Sequence, residues 1–130
     1  MTSFVSHTSI DCADAYGLSE FWKGVLCYVD VDDDPNEPGD EECMILDQDA
    51  GHRLLFIEVA EGKTVKNRMH LDLRPRTGTR DEEVARLLVL GATELADRRG
   101  VHGPGTGWVV LADPEGNEFC VLRSYRQIQA

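Results

Sequence analysis

Two hydrophobic rhythms run along the chain. Short stretches with every second position apolar read as half-buried strands, and longer ones with apolar residues three and four apart read as amphipathic helices. Residues 4–11, FVSHTSID, alternate and predict a strand. Residues 14–26 carry Leu18, Phe21, Trp22, Val25 and Leu26 on one stripe, which predicts a helix with Asp14 as its N-cap. Strands are expected at 27–31, 43–48 and 53–59, with a turn at 49–51. The polar stretch 61–68 reads as a crossover. MHLDL (69–73) is a short alternating strand, residues 80–90 form a second helix closed by Gly91, and strands follow at 93–98, 106–112 and 117–123. Residues 100–107 form a glycine-rich loop and DPEG (113–116) a hairpin turn.

The order is strand, helix, three strands, and then the same again. Such self-similarity outranks most local signals. Both copies open on a strand holding a histidine, His7 or His70, and close on one holding a glutamate, Glu58 or Glu118. The His-to-Glu separations, 51 and 48 residues, match closely and support a repeat. The expected fold class is therefore α+β, in two halves of about residues 1–63 and 64–130.

Charge narrows the partners. With 13 Lys and Arg against 24 Asp and Glu, the chain carries a formal charge of −11. Nucleic acid calls for a basic face, and so does an anionic membrane surface, so neither is an expected partner. No apolar stretch reaches the ~18 residues of a membrane helix, and the start has no basic, apolar leader pattern, so a cytoplasmic location is expected. Cys12, Cys27, Cys43 and Cys120 include no CxxC pair and read as reduced, mostly buried thiols. The acidic run 30–42 is a solvated connection. Asp32, Asp34 and Asn36 alternate as in a calcium loop, but Pro35 and Pro38 interrupt the pattern and no glycine stands at its sixth position.

Strand parity selects the chemistry. His7, Ser9 and Asp11 share a face; so do His70 and Asp72; Glu118 sides with Cys120 and Leu122; Glu58 sides with Leu54 and Phe56. A carboxylate within an apolar strand is costly to bury unless paired. Two imidazoles and one or two carboxylates would suit a divalent cation, whether iron, zinc, nickel, cobalt or manganese. The other reading is a hydrogen-bonded polar cavity without metal. His52 beside a turn glycine and His102 in the glycine-rich loop read as exposed. Lys63, Lys66 and Arg68 form a small basic cluster, either solvated or in contact with an anion, and Trp108 either packs the core or walls a pocket. Neither a phosphate-binding loop nor a nucleophile elbow is present.

HTSIDCAD (7–14) with FWKGVL (21–26), KNRMHLDL (66–73) and WVVLADPEGNEFCVL (108–122) resemble the glyoxalase-like members of the vicinal-oxygen-chelate superfamily over nearly the whole chain. The superfamily includes glyoxalase I, bleomycin-resistance proteins, extradiol dioxygenases and fosfomycin-resistance enzymes. The resemblance implies a single domain of two βαβββ modules in an incomplete cup-shaped barrel, and a homodimer. It implies metal ligands at His7, His70, Glu118 and Glu58, with Glu118 or Glu58 as the proton-transferring carboxylate. The activity implied is a metal-dependent lyase or isomerase reaction on a small substrate with vicinal oxygens. A metal-free drug-binding protein is the alternative, and an extradiol-type dioxygenase ranks lower.

Overall fold

The computed structural model describes residues 1–129. It divides into two compact units, Met1–Lys63 and Thr64 onward. The first holds β1 (Thr8–Cys12), α1 (Ala15–Leu26), β2 (Val29–Asp30), β3 (Glu42–Leu46) and β4 (Arg53–Glu58). The second holds β5 (Leu71–Leu73), α2 (Arg80–Leu90), β6 (Thr93–Asp97), β7 (Val109–Ala112), β8 (Glu118–Val121) and the short α3 (Tyr125–Gln129). Each unit is a βαβββ module with an open four-stranded sheet. The spatial orders are β1-β4-β3-β2 and β5-β8-β7-β6. In each, the first strand runs parallel to the last, and the other pairs are antiparallel. The α+β class expected from the repeat is the one observed. Among the described residues no helix is long and apolar enough to cross a membrane.

Local chemistry explains the boundaries. Asp14 caps α1 by accepting from the Gly17 N–H, and Leu18, Phe21, Trp22 and Val25 are buried along the predicted stripe. Phe21 and Trp22 meet edge to face, with ring centroids 5.5 Å apart. A capping box between Thr79 and Glu82 starts α2, and Gly91 at φ 120° ends it. The first strand is shorter than its alternation suggested. It begins at Thr8, and Phe4 and Val5 are exposed. The strand expected at 27–31 shrinks to two residues because Cys27 takes a left-handed conformation as the C-cap of α1. Cys12, Cys43 and Cys120 are buried, Cys27 is exposed, and all four are free thiols.

The loop between β6 and β7 is fastened by arginines. Arg80 is buried, and its Nη1 donates to the carbonyls of Thr106 (2.9 Å) and Gly107 (3.0 Å). Arg99 grips Asp97 and Asp81. Its hydrogen bonds to Asp97 hold that carboxyl down at about 2. Gly107 sits at φ +92°, where an added Cβ would collide with the Arg98 carbonyl. Gly39 has the same φ but open space around it. Gly107→Ala is therefore expected to cost on the order of 2 kcal/mol or more, and Gly39→Ala only the smaller backbone penalty. Thermal melts of the two variants check the difference.

Candidate functional site

Alternation along β7 and β8 builds two unlike faces. Val109, Leu111, Phe119 and Val121 are at most 1% exposed and form the module core with Val84 and Leu87 of α2. Their neighbours in sequence face the other way. Trp108, Val110 and Leu122 make the apolar wall of a cleft of about 360 Å³. Its polar lining comes from Lys66, His70, Asp72, Glu118 and Cys120. Trp108 therefore walls a pocket, and the His102 ring lies over it at a centroid distance of 6.0 Å.

Pairing between β5 and β8 decides which polar groups meet. Asp72 lies opposite Cys120. His70 and Glu118 stand two residues earlier in their segments, so the cleft carries two successive polar rungs. The His70 Nδ1 is 3.1 Å from an Asp72 oxygen, and the Cys120 Sγ is 4.0 Å from the same nitrogen. The donor atoms of His70, Asp72 and Cys120 lie within 4.8 Å of one another, a grouping capable of holding a metal ion. Burial first, and then the Asp72 charge, push the Cys120 thiol up to about 11. Parity had placed Asp72 and Cys120 on this face, but only the register across two segments distant in sequence brings them together.

Glu118 is held at both oxygens. Its Oε2 accepts from the Asn67 backbone N–H at 2.7 Å, and its own N–H donates to Asn67 Oδ1 at 3.1 Å. Its Oε1 is 3.3 Å from the Lys66 ammonium. The two partners differ in mobility: the backbone contact is fixed, whereas the Lys66 side chain is 73% exposed on a flexible stem.

In the first unit, His7 precedes β1, half-buried, with its Nδ1 2.9 Å from the Ser6 hydroxyl. Glu58 stands at the far end of the β1–β4 pairing from Thr8. The register pairs Thr8 with Leu54 and Cys12 with Glu58, so the position beside His7 belongs to Arg53. Glu58 lies five residues further along, roughly 16 Å at ~3.3 Å per residue, far beyond sharing an ion with His7. It also shares the face of the fully buried Leu54 and Phe56, and its Oε2 accepts from the Ala15 N–H at the start of α1, 3.1 Å away. An anionic acceptor at a helix N-terminus is a structural cap. His52 is exposed and bonded to the Tyr28 hydroxyl (2.7 Å). In the acidic run, Asp30 accepts from Lys23 and Asn36.

Residues 7–122 match the family described as glyoxalase-like domain. The chain belongs to that family. No curated protein matches it. Solved structures match over nearly the full length. A mutant of the fosfomycin resistance protein FosX from Listeria monocytogenes, complexed with Mn(II) and 1S,2S-dihydroxypropylphosphonic acid, is 19% identical, with TM-score 0.69, covering 98% of this chain and 95% of that one. FosX from Mesorhizobium loti is 17% identical, with TM-score 0.67 and coverages of 94% and 92%. A glyoxalase/bleomycin resistance protein/dioxygenase family enzyme from Burkholderia phytofirmans is 18% identical, with TM-score 0.66 and coverages of 89% and 94%. At these identities the likeness establishes the fold of this glyoxalase-like domain, that of the vicinal-oxygen-chelate superfamily, and nothing finer.

Proposed function

We propose that the protein is a metal-dependent enzyme of glyoxalase-like kind, with lyase or isomerase chemistry on a small substrate bearing neighbouring oxygens. The observation that carries the reading is the joint placement of His70, Asp72 and Glu118 in one cleft of the second unit. Metal-ligating histidines commonly donate their second ring N–H to a carboxylate, which fixes the tautomer and the ring orientation. His70 already has such a partner at Nδ1 in Asp72, which leaves Nε2 as the ligating nitrogen. The donor set also fits a cation by charge. Glu118 holds an ammonium against Oε1, where a metal ion would replace it. FosX, a structure of the same fold, was crystallised with Mn(II), which supports a divalent ion in this fold.

In this reading His70 and Glu118 are ligands, and the resemblance adds His7 as the third, completing a two-histidine, one-carboxylate set. Glu58, as the cap of α1, takes no part. A bound divalent cation supplies Lewis acidity toward two neighbouring substrate oxygens. The remaining work falls to side chains. Asn67 anchors Glu118 Oε2, so Oε1 is the oxygen that would face the ion, and the Glu118 carboxylate is the group proposed to take the proton from the carbon next to a substrate carbonyl. Trp108, Val110 and Leu122 exclude water from that carbon. Nickel, zinc, cobalt, manganese and iron all suit such a set. The reading includes a homodimer, on the resemblance alone.

The Lys66–Glu118 pair favours a second reading, a metal-free cleft that binds a small organic molecule or antibiotic without chemistry. Elemental analysis of protein purified without chelator or a metal column separates the two. Near-stoichiometric divalent metal, removable by chelation, supports the enzyme; metal-free protein that still binds its ligand supports the binder. Asp72→Asn is expected to lower metal affinity about 10-fold or more by releasing the His70 tautomer, with little change in melting temperature. Competition titration against a metal-sensitive dye reads the change.

A further inference from the structure

We infer that the cleft selects a small oxyanion with an apolar tail, and that Lys66 is the residue that recognises its charge. The inference rests on the proposed metal reading and names the substrate class for that same site.

It follows from the charges that line the cleft. Asp72 and Glu118 are anionic and Lys66 is cationic, so the lining carries one net negative charge. In that state the Lys66 ammonium is engaged by Glu118 Oε1 at 3.3 Å. A divalent ion on Glu118 changes both features at once. It displaces the ammonium, because two cations repel and compete for one oxygen, and it turns the net charge of the lining to one positive. Lys66 does not lose its place when this happens. Its side chain is 73% exposed and its four-carbon stem lets the ammonium swing from the carboxylate to a ligand beside it. The loaded cleft then presents a metal and a free ammonium on one side and Trp108, Val110 and Leu122 on the other. A neutral diol leaves that ammonium without a partner, whereas a 2-hydroxy or 2-oxo acid, or another small oxyanion, satisfies it. On a surface of formal charge −11 this local reversal sets the cleft apart from its surroundings and gives an anion one favourable place to bind. An unloaded cleft, net negative and with its lysine occupied, repels the same ligand.

Lactate and propane-1,2-diol make a matched pair of probes, with the same carbon skeleton and neighbouring oxygens and a difference of one charge. Calorimetric titration into Mn(II)-loaded protein is expected to show lactate binding at least about tenfold more tightly than the diol, the scale of one hydrogen bond to a charged group. Metal-free protein is expected to bind neither. Lys66→Met should reduce the preference for lactate about tenfold while leaving Mn(II) affinity equal or higher, since a competitor for Glu118 is gone, and Lys66→Arg should restore it. Equal affinity for the two probes in loaded wild-type protein overturns the inference and leaves the metal reading standing. So does a preference that is undiminished in Lys66→Met, or equal lactate binding without metal. Protein that takes up no Mn(II) overturns the metal reading, and the inference with it.

Discussion

His70→Ala is expected to strip the protein of its metal while leaving it folded. The imidazole is 40% exposed, so its removal opens no core cavity, and the melting temperature should hardly move. The loss in metal affinity should be much larger. Outer-shell partners of metal ligands cost 10–100-fold, about 1.4–2.7 kcal/mol, and a direct ligand should cost at least that. Glu118→Ala should match it, and His7→Ala is expected to follow if the third ligand is the one the resemblance implies. Glu58→Ala belongs to another class. It should leave metal affinity unchanged and lower stability by roughly 1 kcal/mol, because the N–H of Ala15 loses its acceptor. Metal titration and thermal melting on the same four variants separate the ligands from the cap.

Phe119→Ala is expected to have the largest effect on stability. Phe119 is 1% exposed, pairs with Leu111 across the sheet and with Leu71 beside it, and stands between Glu118 and Cys120 in sequence. Truncating a buried Phe costs about 3–5 kcal/mol through lost transfer energy and the cavity left behind. A domain of ordinary stability has about 5–15 kcal/mol to lose. The variant should unfold at markedly lower denaturant, and metal affinity should fall with it, since β8 carries Glu118 on its other face. Cys120→Ala, one position along, removes a smaller side chain and should cost less in the same denaturation series.

That contrast along β8 shows what was legible in the sequence. A period of two assigns each residue of a strand to a face, and it separated Phe119 and Val121 from Glu118, Cys120 and Leu122 correctly. Helix periodicity and capping chemistry placed α1 and α2, and the repeat of elements announced the two βαβββ modules. Register across distant segments was not legible, because parallel pairing of β1 with β4 leaves no local mark on either strand. Spacing alone therefore makes Glu58 the counterpart of Glu118, whereas the register sets Glu58 beside Cys12. For the same reason the meeting of Asp72 with Cys120 emerged only from the fold. The short α3 carries a signal of its own in the sequence. Ser124 and Gln127 form a capping pair, the serine Oγ accepting from the Gln127 N–H and the Gln127 Oε1 from the Ser124 N–H. The S-x-x-Q spacing that permits this stands in the sequence.

The most direct test of the metal centre is a crystal grown with zinc and measured at the zinc absorption edge. The proposed site requires one anomalous peak in the cleft, about 2.0–2.2 Å from His70 Nε2 and from a Glu118 oxygen, with Asp72 still hydrogen-bonded to His70 Nδ1 and Lys66 turned away. A cleft with no peak, and with Lys66 still paired to Glu118 in the presence of saturating zinc, contradicts it.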